Sequence, residues 1–270
     1  MPASRSAHRD TKRARPARRW PFILLVLIGL IVLSAAVIFA LPASLAARFM
    51  PTQVHAEDFS GSLLHGAAGK VSINARDAGA LEWQVHPLSL LRLAIVADIH
   101  WVKVGFLIDG TAEIGPGGYT AHDIKGGGPI ANLQTLGFAD GWNGSASLTF
   151  TAIKGTFRKL EAAVGKIDVA NISSAGIAAG SDLGSYELQL GPESIAPDGS
   201  ISTTLKDTGG PVEAQAQIQF SPASRTGTLS GTLRERAEAS PALRSQLSNL
   251  SQLRPRDASG RFPVELEFTF

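Results

Sequence analysis

The sequence predicts a mainly β protein: a single N-terminal transmembrane helix, then a curved, glycine-rich antiparallel β-sheet body with a short amphipathic helix near the C-terminus. Three observations support this fold class. A 20-residue apolar stretch stands near the start, alternation with a period of two dominates the rest, and glycine and proline separate the alternating segments. Glycine makes up 28 of 270 residues. Cysteine is absent, which excludes disulfides, thiolate metal sites and cysteine nucleophiles.

The N-terminal arm, residues 1–19, is strongly basic. It holds seven of the 25 Lys and Arg residues and one acid, Asp10, whereas residues 48–270 carry 18 basic and 22 acidic side chains. The isoelectric point near 9.0 therefore comes from the arm. Such an arm can bind nucleic acid, but this one has no aromatic residue before Trp20 and abuts an apolar segment. A membrane-topology signal explains it better, and no nucleic-acid partner is expected.

Residues 20–42 are the predicted membrane anchor. The stretch Phe22–Leu41 contains no charge, amide or histidine. As a helix it spans about 30 Å, the thickness of a bilayer's hydrocarbon core. Pro21 fits the first helical turn and Pro42 ends the segment. Because the positive charge lies on its N-terminal side, residues 1–19 are expected in the cytoplasm and the body outside it.

A cleaved signal peptide is the alternative for this region. Arg18 and Arg19 form a twin-arginine pair, and small residues suited to cleavage follow at Ala43–Ala47. However, the apolar region of a signal peptide has about 7 to 15 residues, fewer than are present here. Pro21 also follows the arginines, where such signals continue with apolar residues. A retained single-pass anchor in the inner membrane is the preferred interpretation.

After a linker at residues 43–56, the body at residues 57–270 is predicted to form about a dozen short strands. Turn signals such as Gly115–Gly118 and Gly209–Pro211 separate them, which favours antiparallel pairing over βαβ units. The alternating positions are Phe59, Gly61 and Leu63; Val71 and Ile73; Leu81, Trp83 and Val85; Leu93, Ile95, Ala97 and Ile99; Val102, Val104 and Phe106; Ala146, Leu148 and Phe150; Ile167, Val169 and Ile172; Tyr186, Leu188 and Leu190; Ile201, Thr203 and Leu205; Val212, Ala214, Ala216, Ile218 and Phe220; Leu229 and Leu233; and Val264, Leu266, Phe268 and Phe270.

One segment near the C-terminus has helical spacing instead. Ser240 is a suitable N-cap and Pro241 a suitable first helical residue. Leucines at helical intervals follow and stop before Pro255; they are Leu243, Leu247, Leu250 and Leu253. We expect this amphipathic helix to cover an open edge or end of the sheet rather than to bind a partner. A second short helix is expected within Pro129–Gly137.

Candidates for catalysis are few. Asp98 and His100 share one face of a predicted strand, but two donors do not make a metal site, which needs three or four ligands. There is no G-x-S-x-G motif, and Gly126–Gly128 lacks the spacing of a phosphate loop. The six histidines, none in a zinc-binding motif, are His8, His55, His65, His86, His100 and His122. We therefore expect a non-enzyme with no catalytic, cofactor-binding or metal-binding residues.

Several short motifs, taken in order, resemble one known family. An F-x-G-x-L-x-x-G strand at Phe59–Gly66 is followed by Leu81 and Trp83, then by Pro87–Leu91. The C-terminal part adds Leu205–Pro211, Ser240–Leu243 and Gly260–Pro263. In this order and spacing the chain is similar to the type II secretion system protein N family, from the anchor to Phe270, although residues 105–180 carry no distinctive match.

This resemblance implies an inner-membrane component of the machine that moves folded proteins from the periplasm across the outer membrane. The family is an accessory part with its bulk in the periplasm, no enzymatic activity and no cofactor. Its implied partners are the inner-membrane bilayer and other type II secretion subunits, either of the inner-membrane platform or of the secretin.

A second class of function stays open. Anchored periplasmic proteins of the AsmA-like group also begin with G-x-L-x-x-G strands after a membrane helix, and they resemble open sheets whose apolar face shields lipid chains. The apolar face of Val212–Phe220 could line such a groove, or it could simply pack against a second layer. A body of some 220 residues was expected to make only a short trough, which weighs against lipid transport.

Overall fold

The computed structural model describes residues 29, 40–50, 52–136, 141–177, 180–221, 224, 226–253 and 256–269. From Leu41 to Phe270 the chain forms one compact unit. Nearly all of the predicted anchor, Phe22–Leu41, lies outside the described residues, as does the basic arm. Among the residues that are described, none belongs to a helix with the length and apolar character needed to cross a bilayer.

The compact unit is one antiparallel sheet of 13 strands in which every strand pairs with its neighbours in sequence. The part of the sheet that the structure describes is open, because β1 pairs with β2 alone and β13 with β12 alone. The strands are β1 Val54–Gly61, β2 His65–Ile73, β3 Arg76–Val85, β4 Ile95–Lys103, β5 Phe106–Gly115, β6 Gly118–Pro129, β7 Trp142–Gly155, β8 Leu160–Ser174, β9 Asp182–Leu190, β10 Ile201–Gly209, β11 Val212–Ser221, β12 Thr226–Glu235 and β13 Phe262–Thr269.

Short helical elements lie between the strands. Within the described ranges, the α-helix α1 covers Pro241–Leu253, and four 3-10 helices cover Ala43–Phe49, Pro87–Arg92, Ile130–Leu136 and Pro192–Ser194. The expected helix within Pro129–Gly137 is therefore present as a 3-10 helix. β1 begins at Val54, inside the segment assigned to the linker, and the 3-10 helix Ala43–Phe49 packs on β1 and β2.

Tight turns between sequential strands explain the simple topology. Asn74 and Ala75 join β2 to β3 with φ of 52° and 62°, and Gly210 and Pro211 join β10 to β11, with φ of 112° at Gly210. In the β2–β3 turn, two successive positive φ values give a twist that matches the right-handed twist of the flanking strands. Such turns keep each strand beside the one before it.

Two predicted faces are wrong at their ends. Val102, Val104 and Phe106 do not share a face, because a turn at Val104 and Gly105 separates β4 from β5, with φ of 73° at Gly105. Phe106 is buried and Val104 is exposed. Leu93 does not continue the face of Ile95, since it lies before β4 with φ of 56°.

Helix α1 is confirmed near the C-terminus and covers one end of the sheet. Ser240 caps it by accepting a 3.2 Å hydrogen bond at Oγ from the Leu243 N–H. Leu243 and Leu247 are buried against Val212 and Phe262 from the sheet. This is the largest apolar cluster among the described residues, and it closes the sheet at the end where β12 stops and β13 starts. We call it the α1 end.

Candidate functional site

The register of the sheet places one apolar or glycine residue of each strand in a continuous line, which we call the apolar row. Each member lies directly opposite the next across the ladder. From β1 to β13 the row is Phe59, Ala68, Leu81, Trp101, Ile108, Gly126, Leu148, Ile167, Leu188, Leu205, Ala216, Gly231 and Val264.

The adjacent line of opposed residues points to the other face and is polar throughout except at one alanine. We call it the polar row, and its members are Ser60, Ala67, Glu82, His100, Asp109, Lys125, Thr149, Lys166, Gln189, Thr204, Gln217, Ser230 and Glu265. Since successive side chains of a strand point to opposite faces, the two rows define an apolar face and a polar face across the whole sheet.

No second sheet covers the apolar face in the part of the chain that the structure describes. In the middle of the row, Leu148, Ile167 and Leu188 are half-buried, whereas their polar-row neighbours Thr149 and Lys166 are exposed. The apolar row is thus more buried than the polar row, although no second sheet covers it in the described part of the chain. The apolar face is therefore an accessible, lined surface.

The length of this surface follows from the strand count. Twelve spacings of about 4.8 Å between 13 strands give a path of roughly 58 Å along the apolar row. A path of this length sets the size of the apolar surface, and the expectation of a short trough stays a prediction.

Aromatic side chains form the N-terminal part of the apolar face. Trp83 meets Phe59 edge to face with ring centroids 6.4 Å apart, and Trp101 meets Phe106 in the same way at 6.0 Å. The indole N–H of Trp83 donates to the Leu63 carbonyl at 2.9 Å, and that of Trp101 to the Ala78 carbonyl at 2.7 Å. With their polar atoms paired, both indoles present apolar rings to the groove.

The Asp98 and His100 pair singled out in the sequence lies on the polar face, and each residue bonds to a different partner. Asp98 accepts from Thr111 Oγ1 at 2.8 Å and contacts His86 Nε2 at 2.8 Å. The Thr111 hydrogen bond and then the His86 contact lower the pKa of Asp98. His100 Nδ1 contacts Asp109, which raises the pKa of His100. These are cross-strand pairs on an exposed surface.

The other candidates for chemistry are placed apart. Within the described ranges, no three His, Asp or Glu side chains are grouped so that they could hold a metal ion; His8 lies outside those ranges. Gly126–Gly128 belongs to β6, where a Cβ at Gly126 would lie 2.4 Å from the Leu107 carbonyl oxygen. These glycines serve close strand packing and do not form a phosphate loop.

Sequence reasoning missed the register that links all the strands. Alternation identified apolar positions strand by strand, but their alignment depends on bulges, such as those beside Asp123 and Asn171, whose φ values are 52° and 53°. A bulge shifts the pairing by one residue and is rarely visible in a single sequence. The signal that was available is the aspartate or asparagine itself, which tolerates this backbone conformation better than most residues.

Together these features define a single-layer, amphipathic β-meander, a class of protein that acts through extended surfaces. The model of the type II secretion system protein N family matches residues 52–265, which spans β1 to β13. The chain belongs to the type II secretion system protein N family. No curated protein and no solved structure matches it.

Proposed function

We propose that this chain is a non-enzymatic, inner-membrane-anchored accessory component of the type II secretion machinery, which supports export of folded proteins across the outer membrane. The family match over residues 52–265 carries the proposal. The apolar stretch Phe22–Leu41 and the basic arm support a single-pass anchor with residues 1–19 in the cytoplasm and the sheet in the periplasm.

The faces of the sheet are better suited than its edges to contact platform or secretin subunits. Edge strand β13 carries Pro263, which lacks an N–H, and the exposed charges Glu265 and Glu267. Edge strand β1 carries the exposed charges Glu57 and Asp58. Proline and charge at an edge are devices that prevent addition of another strand. A partner subunit would then bind on the polar face, where the cross-strand ion pairs lie.

The test compares cells that lack this chain with cells that express it, and measures how a folded exoprotein divides between periplasm and medium. We expect retention in the periplasm without the chain and release after complementation with the full chain. Residues 43–270 released by an unrelated cleavable signal should restore secretion only in part if the anchor orients the sheet. Secretion that is unchanged by loss of the chain would contradict the proposal.

A second candidate function is lipid binding in the manner of AsmA-like proteins, and the uncovered apolar row specifically favours it. Half-buried side chains such as Leu148, Ile167 and Leu188 form an apolar surface that no second sheet covers in the described ranges. An apolar path of roughly 58 Å is long enough for acyl chains to lie along it. Exposed contiguous apolar surface of this extent is typical of a binding site.

Co-purifying phospholipid, counted per chain by mass spectrometry, tests this second candidate. Leu148→Glu and Ile167→Glu place charge in the apolar row, whereas Thr149→Glu places the same charge one residue away on the polar face. Lipid binding predicts stoichiometric phospholipid in the wild type and in Thr149→Glu, and its loss in the two apolar-row variants. Absence of phospholipid from folded wild-type protein would contradict it.

A further inference from the structure

Large apolar side chains are exposed together at the end of the sheet opposite α1. Leu88, Leu91 and Leu93 are 78%, 84% and 79% exposed, and Phe157 is 73% exposed. Ile114, at the end of β5, is 44% exposed. We call these five residues the apolar rim. The three leucines and Phe157 are far more exposed than the half-buried apolar row, and Ile114 lies on the apolar face of β5 at this end of the sheet.

The topology brings the rim residues together although they are far apart in sequence. The leucines lie in the connection from β3 to β4, Ile114 precedes the turn from β5 to β6, and Phe157 lies in the turn from β7 to β8. In an antiparallel meander, alternate connections lie at the same end of the sheet. With about 4.8 Å between strands, the three connections occupy roughly 24 Å of one end.

The leucine-bearing connection is held in place by hydrogen bonds. Ser89 Oγ donates to the His86 carbonyl at 2.7 Å and accepts from the Val96 N–H at 3.1 Å. Leu93 has a left-handed backbone, with φ of 56°, and its N–H donates to the Leu90 carbonyl at 3.1 Å. A leucine in this conformation is strained. The connection therefore displays its leucines outward in a fixed arrangement, at the expense of local strain.

Basic residues flank the apolar side chains. Arg92 adjoins Leu91, and Arg158 and Lys159 follow Phe157; all three are exposed. Exposed acids lie at the same end: Glu113 adjoins Ile114, Glu161 lies at the start of β8, and Glu193 and Asp198 lie in the connection from β9 to β10. Lys159 Nζ donates to the Pro197 carbonyl at 3.0 Å. The charges around the rim are therefore mixed, and large exposed apolar side chains with a few arginines beside them are the feature that matches a membrane interface.

The chain leaves the predicted anchor at this same end. The Leu63 N–H donates to the Leu41 carbonyl at 2.8 Å, and Pro42 bridges to Ser62. The Leu64 carbonyl in turn accepts from the Val85 N–H at 2.7 Å, next to the leucine-bearing connection. Leu41, the last residue of the apolar stretch, is therefore fixed within a few strands of the rim.

We propose that the apolar rim enters the bilayer that Phe22–Leu41 spans, on the non-cytoplasmic side, so that the sheet stands on the membrane at this end. The inference rests on the proposed anchoring. Leu41 ends the apolar stretch and is hydrogen-bonded at the rim's end of the sheet, and the exposed leucines and Phe157 match the apolar part of a lipid interface. The apolar face then begins at the membrane surface and runs away from it toward α1.

Cysteine labelling tests the rim directly, because the native chain contains no cysteine. Full-length Leu91→Cys and Phe157→Cys, each carrying the polarity-sensitive NBD fluorophore, are reconstituted into phosphatidylcholine–phosphatidylglycerol vesicles with or without nitroxide-labelled lipid. Val104→Cys is the matched control: Val104 is 79% exposed but lies in the turn from β4 to β5, at the α1 end. Flotation of the vesicles reports separately whether the chain is anchored.

The proposal predicts blue-shifted emission and strong quenching by the nitroxide lipid at both rim positions, with neither effect at Val104. Water-like emission without quenching at the rim, in protein that floats with the vesicles, would overturn the rim proposal and leave the anchor standing. A protein partner would then be the occupant of the rim. Protein that does not float would overturn the rim proposal and the proposed anchor together.

Discussion

Glycine occupies two positions of the apolar row because a side chain there would collide with the neighbouring strand. A Cβ at Gly126 would lie 2.4 Å from the Leu107 carbonyl oxygen, and a Cβ at Gly231 2.3 Å from that of Gln215. Contacts this short force the strands apart. The close approach of the strands, rather than backbone conformation, thus fixes these two glycines.

Gly126→Ala tests this at single-residue scale, with Gly115→Ala as its control because a Cβ at Gly115 meets nothing within 4 Å. We expect Gly126→Ala to lower the free energy of unfolding by about 1–3 kcal/mol through overpacking, and Gly115→Ala to leave it nearly unchanged. Urea denaturation followed by circular dichroism measures both. Equal midpoints for the two variants would show that β5 and β6 do not approach as described.

Trp83 joins the β1–β2 turn to the apolar face through its indole N–H and its contact with Phe59. Trp83 is half-buried, so Trp83→Ala should lower the free energy of unfolding by less than the roughly 3–5 kcal/mol typical of a fully buried aromatic residue; we expect about 2 kcal/mol. Trp83→Phe keeps an aromatic ring next to Phe59 and should lower the stability by less than Trp83→Ala does. Thermal melting of the three proteins checks this order, and an unchanged melting temperature in Trp83→Ala would contradict it.

Tyr186 provides a test that depends on pH. Burial, followed by the charge of Asp207, raises its pKa to about 12, and its hydroxyl donates to the Leu183 carbonyl at 2.7 Å. Because tyrosinate then forms more readily in the unfolded chain, this group's contribution to stability is present below about pH 10 and is lost as pH rises toward its folded pKa.

We therefore expect wild-type stability to fall faster than that of Tyr186→Phe between about pH 9 and pH 11. Tyr186→Phe removes the hydroxyl donor at every pH, so the stability that it loses for this reason does not depend on pH. That loss cancels when the change in stability between the two pH values is compared for the two proteins. Urea midpoints at the two pH values give the measurement. Parallel loss of stability in both proteins would contradict a buried, protonated Tyr186.

At the scale of elements, helix α1 closes one end of a sheet that has no second layer in the described residues. Its buried face packs on Val212, Leu233 and Phe262, and Arg256 lies 4.2 Å from the centroid of the Phe262 ring. The three sheet residues belong to three neighbouring strands, so α1 holds β11, β12 and β13 together at that end.

Leu243→Ala should weaken this end of the sheet. Leu243 is almost fully buried, and truncating a buried leucine costs about 2–5 kcal/mol. Ser245→Ala, at an exposed position of the same helix, is the control and should have little effect. Hydrogen exchange should show faster exchange in β11–β13 of Leu243→Ala with β4–β8 unchanged. Uniformly faster exchange would show instead that the sheet opens as one unit.

How far the elements could be predicted depended on how local their signals were. Most strands, the capped helix after Ser240 and the short helix after Pro129 have local signals in hydrophobic period and turn residues, and they were predicted. Two strands, β5 and β6, were missed, because no alternating positions were assigned between Phe106 and Ala146. The turn at Gly105 and the exposed turn at Leu93 were not predicted, because an alternating sequence looks the same whether or not the chain reverses within it. Backbone conformation at one residue decided both.

At the scale of the whole molecule, the central feature is a sheet with one apolar and one polar row running through every strand. The sequence predicted that the body would be a mainly β sheet but left open whether it closed or was covered. Pairing between strands is a non-local property, and bulges reset it at several points. The candidate surface could therefore not be assembled from the sequence, although eight of the thirteen residues in the apolar row had been identified as alternating positions.

In-cell photocrosslinking tests the central claim, membership in a working secretion machine, most directly. A photoreactive residue is placed at exposed polar-face positions such as Thr149 and Gln217, and adducts are identified by mass spectrometry while exoprotein is being secreted. The account predicts adducts with platform or secretin subunits. Abundant adducts that never contain a secretion subunit, from chain expressed at its native level, would contradict it.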